Sequence, residues 1–242
     1  MKKTILLTVA FIAVALGVSA QNYQERIFDY PTVHDPVVAF CDGRYYIFTT
    51  GMNVLSSADM KNWKLEKPVF STTPQWALDK GFSGMPWAPD IQFIGGKWYI
   101  YYSYSIFGKN QSAIGVAVNK TLNPESPDFK WEDQGMVVQS VPEVNDWNAI
   151  DPNLIIDQQT GAPYLTYGSF WDGIQLVRLQ KDMHTPVGSP VTIARRRAPR
   201  GIAHNDTEPG VEAGNNAIEA PFIVRHGRRR NRHHGTPQKA GR

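Results

Sequence analysis

The feature that most constrains this chain is a hairpin pattern that recurs four times between residues 35 and 224. Each copy joins an acidic residue beside a proline to a hydrophobic strand, a polar turn and a second, aromatic-rich strand. The first copy runs Asp35-Pro36-Val37-Val38-Ala39-Phe40, turns at Asp42-Gly43 and returns as Tyr45-Tyr46-Ile47-Phe48. The second runs Ala88-Pro89-Asp90-Ile91-Gln92-Phe93-Ile94, turns at Gly95-Gly96 and returns as Trp98-Tyr99-Ile100-Tyr101-Tyr102. The third has Asp151-Pro152-Asn153-Leu154-Ile155-Ile156, a turn ending at Gly161, and Tyr164-Leu165-Thr166-Tyr167. The fourth opens as Glu219-Ala220-Pro221-Phe222-Ile223-Val224 and then gives way to a basic tail. β-Branched and aromatic runs around Asp-Gly and Gly-Gly read as antiparallel hairpins.

The acids at 35, 90, 151 and 219 are spaced by 55, 61 and 68 residues. That is room for about four short strands and their loops, the size of a propeller blade. Further strands fit at Ala113 to Val118 and Gly173 to Leu179, and Ser56 to Trp63 reads as a blade's outer turn leading into an edge strand. Long helical periodicity is missing after residue 20. A β-sandwich accommodates the same strands but gives no reason for the acid to recur. In a propeller the reason is geometric: a residue that opens each innermost strand brings every carboxylate near one axis. The expected fold is therefore an all-β propeller.

Composition narrows the function classes. Of 242 residues 42% are apolar and 12% aromatic, which excludes disorder, collagen and coiled coil. A single cysteine, Cys41, excludes an intramolecular disulfide framework and any multi-cysteine zinc site. The net charge of +3 is uneven: residues 225–242 hold seven Lys/Arg and no acid, and the first twenty hold Lys2 and Lys3 and no acid. The body between them carries 16 basic against 22 acidic residues, a poor match for nucleic acid or an anionic membrane. Lys2-Lys3, the apolar run Ile5 to Val18 and the small residues Val18-Ser19-Ala20 read as a cleaved secretory signal over residues 1–20, giving a secreted or periplasmic protein. The run is too short for a stable membrane span, and Gln21 in place of cysteine after the cut gives no lipoprotein anchor.

Carboxylates gathered in a funnel repel one another, raise some pKa values and so form an active-site candidate. A glycosidase needs two carboxyl groups about the scissile bond, one protonated to release the leaving oxygen and one ionised to activate water or attack carbon. Asp35, Asp151 and Glu219 suit that chemistry by register, and a carboxylate cage for a metal ion is the rival use of the same residues. His34 adjoins Asp35, but neighbours on a strand point to opposite faces, so no dyad is expected. Trp87 is the expected sugar-stacking ring, and Gly168-Ser169-Phe170-Trp171-Asp172-Gly173 suits a subsite wall, from which Ser169 and Trp171 are assigned to substrate. Asn153 and Asp90 join that substrate-binding set, with a structural role as the alternative for Asp90.

Five segments taken in order, Val33-His34-Asp35-Pro36, Trp87-Ala88-Pro89-Asp90-Ile91, Ala149-Ile150-Asp151-Pro152-Asn153, Tyr167-Gly168-Ser169-Phe170-Trp171 and Ala217-Ile218-Glu219-Ala220-Pro221-Phe222, resemble glycoside hydrolase family 43. The set is most similar to the family's endo-1,5-α-L-arabinanases, over about residues 28 to 224. The resemblance implies a five-bladed propeller and hydrolysis of α-1,5-linked L-arabinan or arabino-oligosaccharide with inversion. It implies Asp35 as general base, Glu219 as general acid, and Asp151 as the residue that raises the acid's pKa and orients it. The inverting pair would stand roughly 6.5–9.5 Å apart to admit a water. No cofactor is required; a structural calcium on the propeller axis is implied by the resemblance, without an assigned ligand. An exo-acting arabinofuranosidase or β-xylosidase, and a non-catalytic carbohydrate-binding propeller fragment, are the alternatives.

The pattern stops at Val224, where an aromatic return strand is due and Arg225-His226-Gly227-Arg228-Arg229-Arg230 follows instead. The expected layout is a signal peptide at 1–20, an incomplete propeller at 21–224 with about three and a half blades encoded, and a basic tail at 225–242. A solvated arm, a shortened natural variant and out-of-frame translation each account for the tail, and the abrupt change in mid-hairpin favours the last. Residues 201 to 216, rich in Gly, Asn and Glu, read as a long loop before the fourth unit.

Overall fold

Successive side chains of an extended strand point to opposite faces, so an aromatic run that is apolar on both faces must be covered on both. The computed structural model describes residues 27–196 and 218–224 and satisfies that demand with three antiparallel sheets. The first contains β1 (Ile27–Phe28), β2 (Val37–Cys41), β3 (Arg44–Phe48), β4 (Val54–Ser57) and β5 (Trp63–Leu65), in the order β1-β5-β4-β3-β2. The second contains β6 (Trp87–Ile94), β7 (Lys97–Ser105), β8 (Ser112–Asn119) and β9 (Glu132–Ser140), side by side in chain order. The third repeats that order with β10 (Asn153–Ile156), β11 (Pro163–Tyr167), β12 (Ile174–Leu179) and β13 (Pro186–Ala194). A 3-10 turn at Thr50–Met52 and the five-residue helix α1 (Gln75–Asp79) are the helical elements among the described residues.

The recurring hairpins are β2–β3, β6–β7 and β10–β11, one per sheet, and β6 lies against both β2 and β10. These are consecutive blades of a propeller with their first strands innermost. Two of the hairpin turns take the two-residue form. Asp42-Gly43 has φ of 49° and 77°, Gly95-Gly96 has 58° and 82°, and the flanking pairs are Cys41 with Arg44 and Ile94 with Lys97. Positive φ at both turn residues matches the right-handed twist of the strands, which is why Asp-Gly and Gly-Gly stand there.

The strand β7 shows how the sequence holds blade to blade. Ile100, Tyr102 and Tyr104 pack with Tyr46, Phe48 and Met52 of the first blade. Tyr99 and Tyr101 pack on the other face with Leu154, Leu165 and Tyr167 of the third. The outer turns share a local device as well. Asp59 Oδ1 accepts the N–H groups of Lys61 and Asn62, and Asp182 Oδ1 accepts those of His184 and Thr185. The methionine after each acid, Met60 or Met183, takes a left-handed φ of 59° or 61°.

Two expectations change. The acid does not recur at one point of each hairpin: Asp35 and Asp151 precede β2 and β10, whereas Asp90 lies inside β6, beyond a register shift between Trp87 and Asp90. In that unit the acid follows its proline instead of preceding it, so the local backbone differs. The fourth unit, described over residues 218–224, is not a strand. Its N–H groups bond to side chains of the third unit instead, Ala220 to Asp151 Oδ2 and Ile223 to Asn153 Oδ1. The expected leader at 1–20 and basic tail at 225–242 lie outside the described residues.

Candidate active site

Three residues that stand immediately before a proline share one unusual backbone. Asp35, Asp151 and Ala220 have φ of 48°, 55° and 51° before Pro36, Pro152 and Pro221. A left-handed non-glycine residue costs about 1–3 kcal/mol and persists only where its surroundings impose it. Aspartate tolerates the region better than most residues, which suits the first two positions. The true equivalents across units are thus Asp35, Asp151 and Ala220, and Glu219 sits one residue earlier. All three line a cavity of about 190 Å³ at the start of the blades' first strands, together with Ala88, Pro89 and Asp90. Four sequence units therefore meet at one hollow.

The carboxyls in and beside this hollow differ in environment. Asp151 is pushed up to about 7, first by burial and then by the charges of Asp35 and Glu219; the Ala220 N–H at 3.2 Å and the charge of His34 oppose the rise. Asp35 and Glu219 are both solvent-exposed. Thr50 Oγ1 donates to Asp35 Oδ2 at 2.8 Å, and His34 Nε2 stands 3.3 Å from the same oxygen. Both contacts fall on Oδ2 of Asp35. The His34–Asp35 contact corrects the expectation of opposite faces. Both residues precede β2, and the left-handed turn at Asp35 breaks the alternation an extended strand would impose.

Asp90 is 2% exposed and is pushed up to about 6 by burial, against hydrogen bonds from Leu154, Asn153, Gln92 and Ile91. Its Oδ2 accepts the Leu154 N–H at 2.8 Å, so it ties the second blade to the third while touching the hollow. Asn153, 1% exposed, sits between Asp90 and the fourth unit, its Oδ1 holding the Ile223 N–H at 2.9 Å. Ser169 and Trp171 are each 3% exposed, so Trp171 offers no open ring face. Trp87 is half-buried and carries the 89% exposed Phe107 against it at 6.4 Å between ring centres.

Sequence reasoning missed Thr50, the His34 contact and Phe107. Thr50 stands 15 residues from the carboxylate it serves, and nothing local marks that pairing. Phe107 had a signal: an aromatic residue in a polar Gly108-Lys109-Asn110 loop has no core to join.

The sequence matches Glycosyl hydrolases family 43 over residues 30–229. The chain belongs to this family. Among curated relatives, it is 45% identical over 199 residues to an extracellular exo-α-(1→5)-L-arabinofuranosidase of Cellvibrio japonicus, covering 81% of this chain and 56% of that protein. It is 40% identical over 172 residues to the extracellular endo-α-(1→5)-L-arabinanase 1 of Bacillus subtilis, covering 68% and 51%. The chain thus spans about half the length of these family 43 proteins. Among solved structures, the exo-1,5-α-L-arabinanase from a bovine ruminal metagenomic library superposes with a TM-score of 0.73 at 57% identity, over 81% of this chain and 62% of that one. The Cellvibrio cellulosa α-L-arabinanase gives 0.74 at 44% identity, over 82% and 62%. The three blades are accordingly part of the family 43 propeller.

Among the described residues no group of three His, Cys, Asp or Glu side chains is placed to hold a metal ion, and the calcium implied by the resemblance keeps no assigned ligand.

Proposed function

We propose that this chain carries the hydrolytic site of a secreted family 43 enzyme acting on α-1,5-linked L-arabinan. The observation that supports it best is geometric: Asp35, Asp151 and Ala220, the neighbour of Glu219, line one hollow shared by all four repeat units, with the Ala220 N–H bonded to Asp151 Oδ2. Asp35 serves as general base, its Oδ1 taking a proton from the attacking water while Thr50 and His34 hold Oδ2. Glu219 protonates the leaving oxygen as general acid. Asp151 orients the acid: its Oδ2 accepts the Ala220 N–H, next to Glu219. Water attacks the anomeric carbon from one side as the glycosidic bond breaks on the other, so the product is inverted. Trp87 with Phe107 serves as the sugar-stacking pair and Asp90 lines the hollow, whereas Asn153, Ser169 and Trp171 are buried outside its lining.

Two similar proteins, at 45% and 57% identity, are exo-acting enzymes, whereas the relative at 40% is an endo-arabinanase. That balance moves the expected mode from endo toward exo. A related arabinanase is known in complex with arabinohexaose, so a linear hexaose is the substrate of choice for the test. Incubation with that hexaose should release short products of inverted anomeric configuration, followed by proton NMR. Asp35→Asn and Glu219→Gln should each lower kcat by about a thousandfold or more while binding persists. Near-parental turnover in both variants would falsify the assigned roles. Early loss of one-end units indicates exo action, and a spread of internal fragments indicates endo action. Binding of arabinan without hydrolysis by the parent chain identifies a carbohydrate-binding fragment.

A further inference from the structure

The turn Gly168–Gly173 bonds to the backbone just before Asp151 and just before Glu219. Its Gly168 N–H donates to the Ile150 carbonyl at 2.8 Å, one residue before Asp151. Its Phe170 N–H donates to the Ile218 carbonyl at 3.0 Å, one residue before Glu219. The turn is wound into left-handed backbone, with φ of 131° at Gly168, 53° at Phe170, 34° at Trp171 and 79° at Gly173. It is also pressed tight. A Cβ on Gly168 would lie 2.3 Å from the Gly173 carbonyl oxygen, and one on Gly173 would lie 2.3 Å from that of Ala194. Two bulky residues hold such angles only where other contacts over-determine them.

Those contacts come from Asp172, whose side chain is 8% exposed. Arg195 Nη2 donates to Asp172 Oδ2 at 3.2 Å, and Nη1 lies 2.6 Å from Oδ1 as an ion-pair contact without hydrogen-bond geometry. The Thr192 hydroxyl donates to Oδ2 as well, and the Asp172 N–H donates to the Asp146 carbonyl at 2.7 Å. The chain therefore leaves β13 at Arg195 and returns at Ile218 against the same turn. Together with the Thr192 hydroxyl on Oδ2, the Arg195 contact restricts the orientation of the carboxylate as well as its distance. The Arg195 side chain is 39% exposed, so the pair by itself adds little to stability.

We propose that Asp172 and Arg195 are positioning residues of the hydrolytic site: the pair locks the turn so that its two amides set the Glu219 segment against Asp151. This rests on the hydrolase reading above. Neither residue touches substrate in this role; both act through the Gly168 and Phe170 amides.

The test compares Asp172→Asn, Arg195→Met and Arg195→Lys with the parent by hydrogen exchange, read by mass spectrometry on peptides covering 218–224 and β10–β12, and by kcat and KM on linear arabinohexaose. In Asp172→Asn and Arg195→Met, exchange over 218–224 should speed up about tenfold while β10–β12 keep parental rates. In the same variants kcat should fall by about tenfold to a hundredfold with KM within about twofold. Arg195→Lys, which keeps the charge and loses the fork, should recover part of both. If Arg195→Met does not fold, Thr192→Val removes a single ligand of Asp172 and reads the same exchange. Parental exchange over 218–224 in the variants overturns the proposal, and so does an even acceleration across the whole third sheet, which would mark a merely structural pair. A parent without hydrolysis overturns the hydrolase reading, and the exchange measurement still decides whether the pair holds the 218–224 segment.

Discussion

Thr50 shows how much one hydroxyl can decide. Its Oγ1 binds Asp35 Oδ2, and its N–H binds the His34 carbonyl at 3.0 Å, so it brackets the turn that carries the candidate base. Thr50→Val keeps the shape of the side chain and removes the donor. We expect kcat on arabinohexaose to fall by about tenfold with KM nearly unchanged, and Thr50→Ser to restore it, since orientation of a reacting group acts on the chemical step. An equal rise in KM with kcat intact would show that the hydroxyl serves binding instead. Asp35 could be singled out in the sequence because aspartate beside proline recurs; Thr50 could not, because its partner is remote along the chain.

At the scale of elements, the aromatic strands explain both the blade packing and its tightest point. Gly115 in β8 lies under Trp76 of α1 and the Tyr102 ring of β7, and a Cβ there would stand 2.6 Å and 2.8 Å from their atoms. The same patch holds a polar network. Tyr102 Oη donates to Asp133 Oδ1 at 2.5 Å and accepts from Trp76 Nε1 at 3.3 Å. Gly115→Ala must push these rings apart, and we expect it to destabilise the fold by about 1–3 kcal/mol, measured by urea unfolding. Unchanged stability would mean that α1 gives way freely. The hairpins, two-residue turns and outer turn near Asp59 were readable from alternation and turn residues, because those depend on neighbours in sequence. The register shift in β6 and the absence of a strand at 218–224 were not, because each depends on what lies across the sheet.

For the whole molecule, the hub is where stability and acidity meet. Asp90 is pushed up to about 6 and Asp151 to about 7, both chiefly by burial, from an ordinary 3.8. The folded chain therefore holds protons that the unfolded chain releases between about pH 4 and 7. Their contribution to stability is fully present below pH 4, falls as pH rises through that window and levels off above about 7. Asp151→Asn removes one of the two titrations while retaining an acceptor for the Ala220 N–H. Its stability relative to the parent should rise between pH 5 and 7.5, measured by chemical unfolding at each pH. A constant difference across that range would show that Asp151 titrates alike in both states.

The sequence by itself determined the class of fold, the blades' hairpins and the set of acids worth watching. Strand period, turn chemistry and internal repetition are written in neighbouring residues, and five ordered segments carried the family resemblance. The tertiary structure decided which positions are equivalent, Asp35 with Asp151 and Ala220, and set Asp90 apart as a buried tie between blades. It also set Thr50 and His34 against Asp35, and the Asp172–Arg195 pair against the turn at 168–173. Those assignments depend on left-handed backbone before proline and on contacts between distant segments, and both arise only when separate repeats are packed around a common hollow.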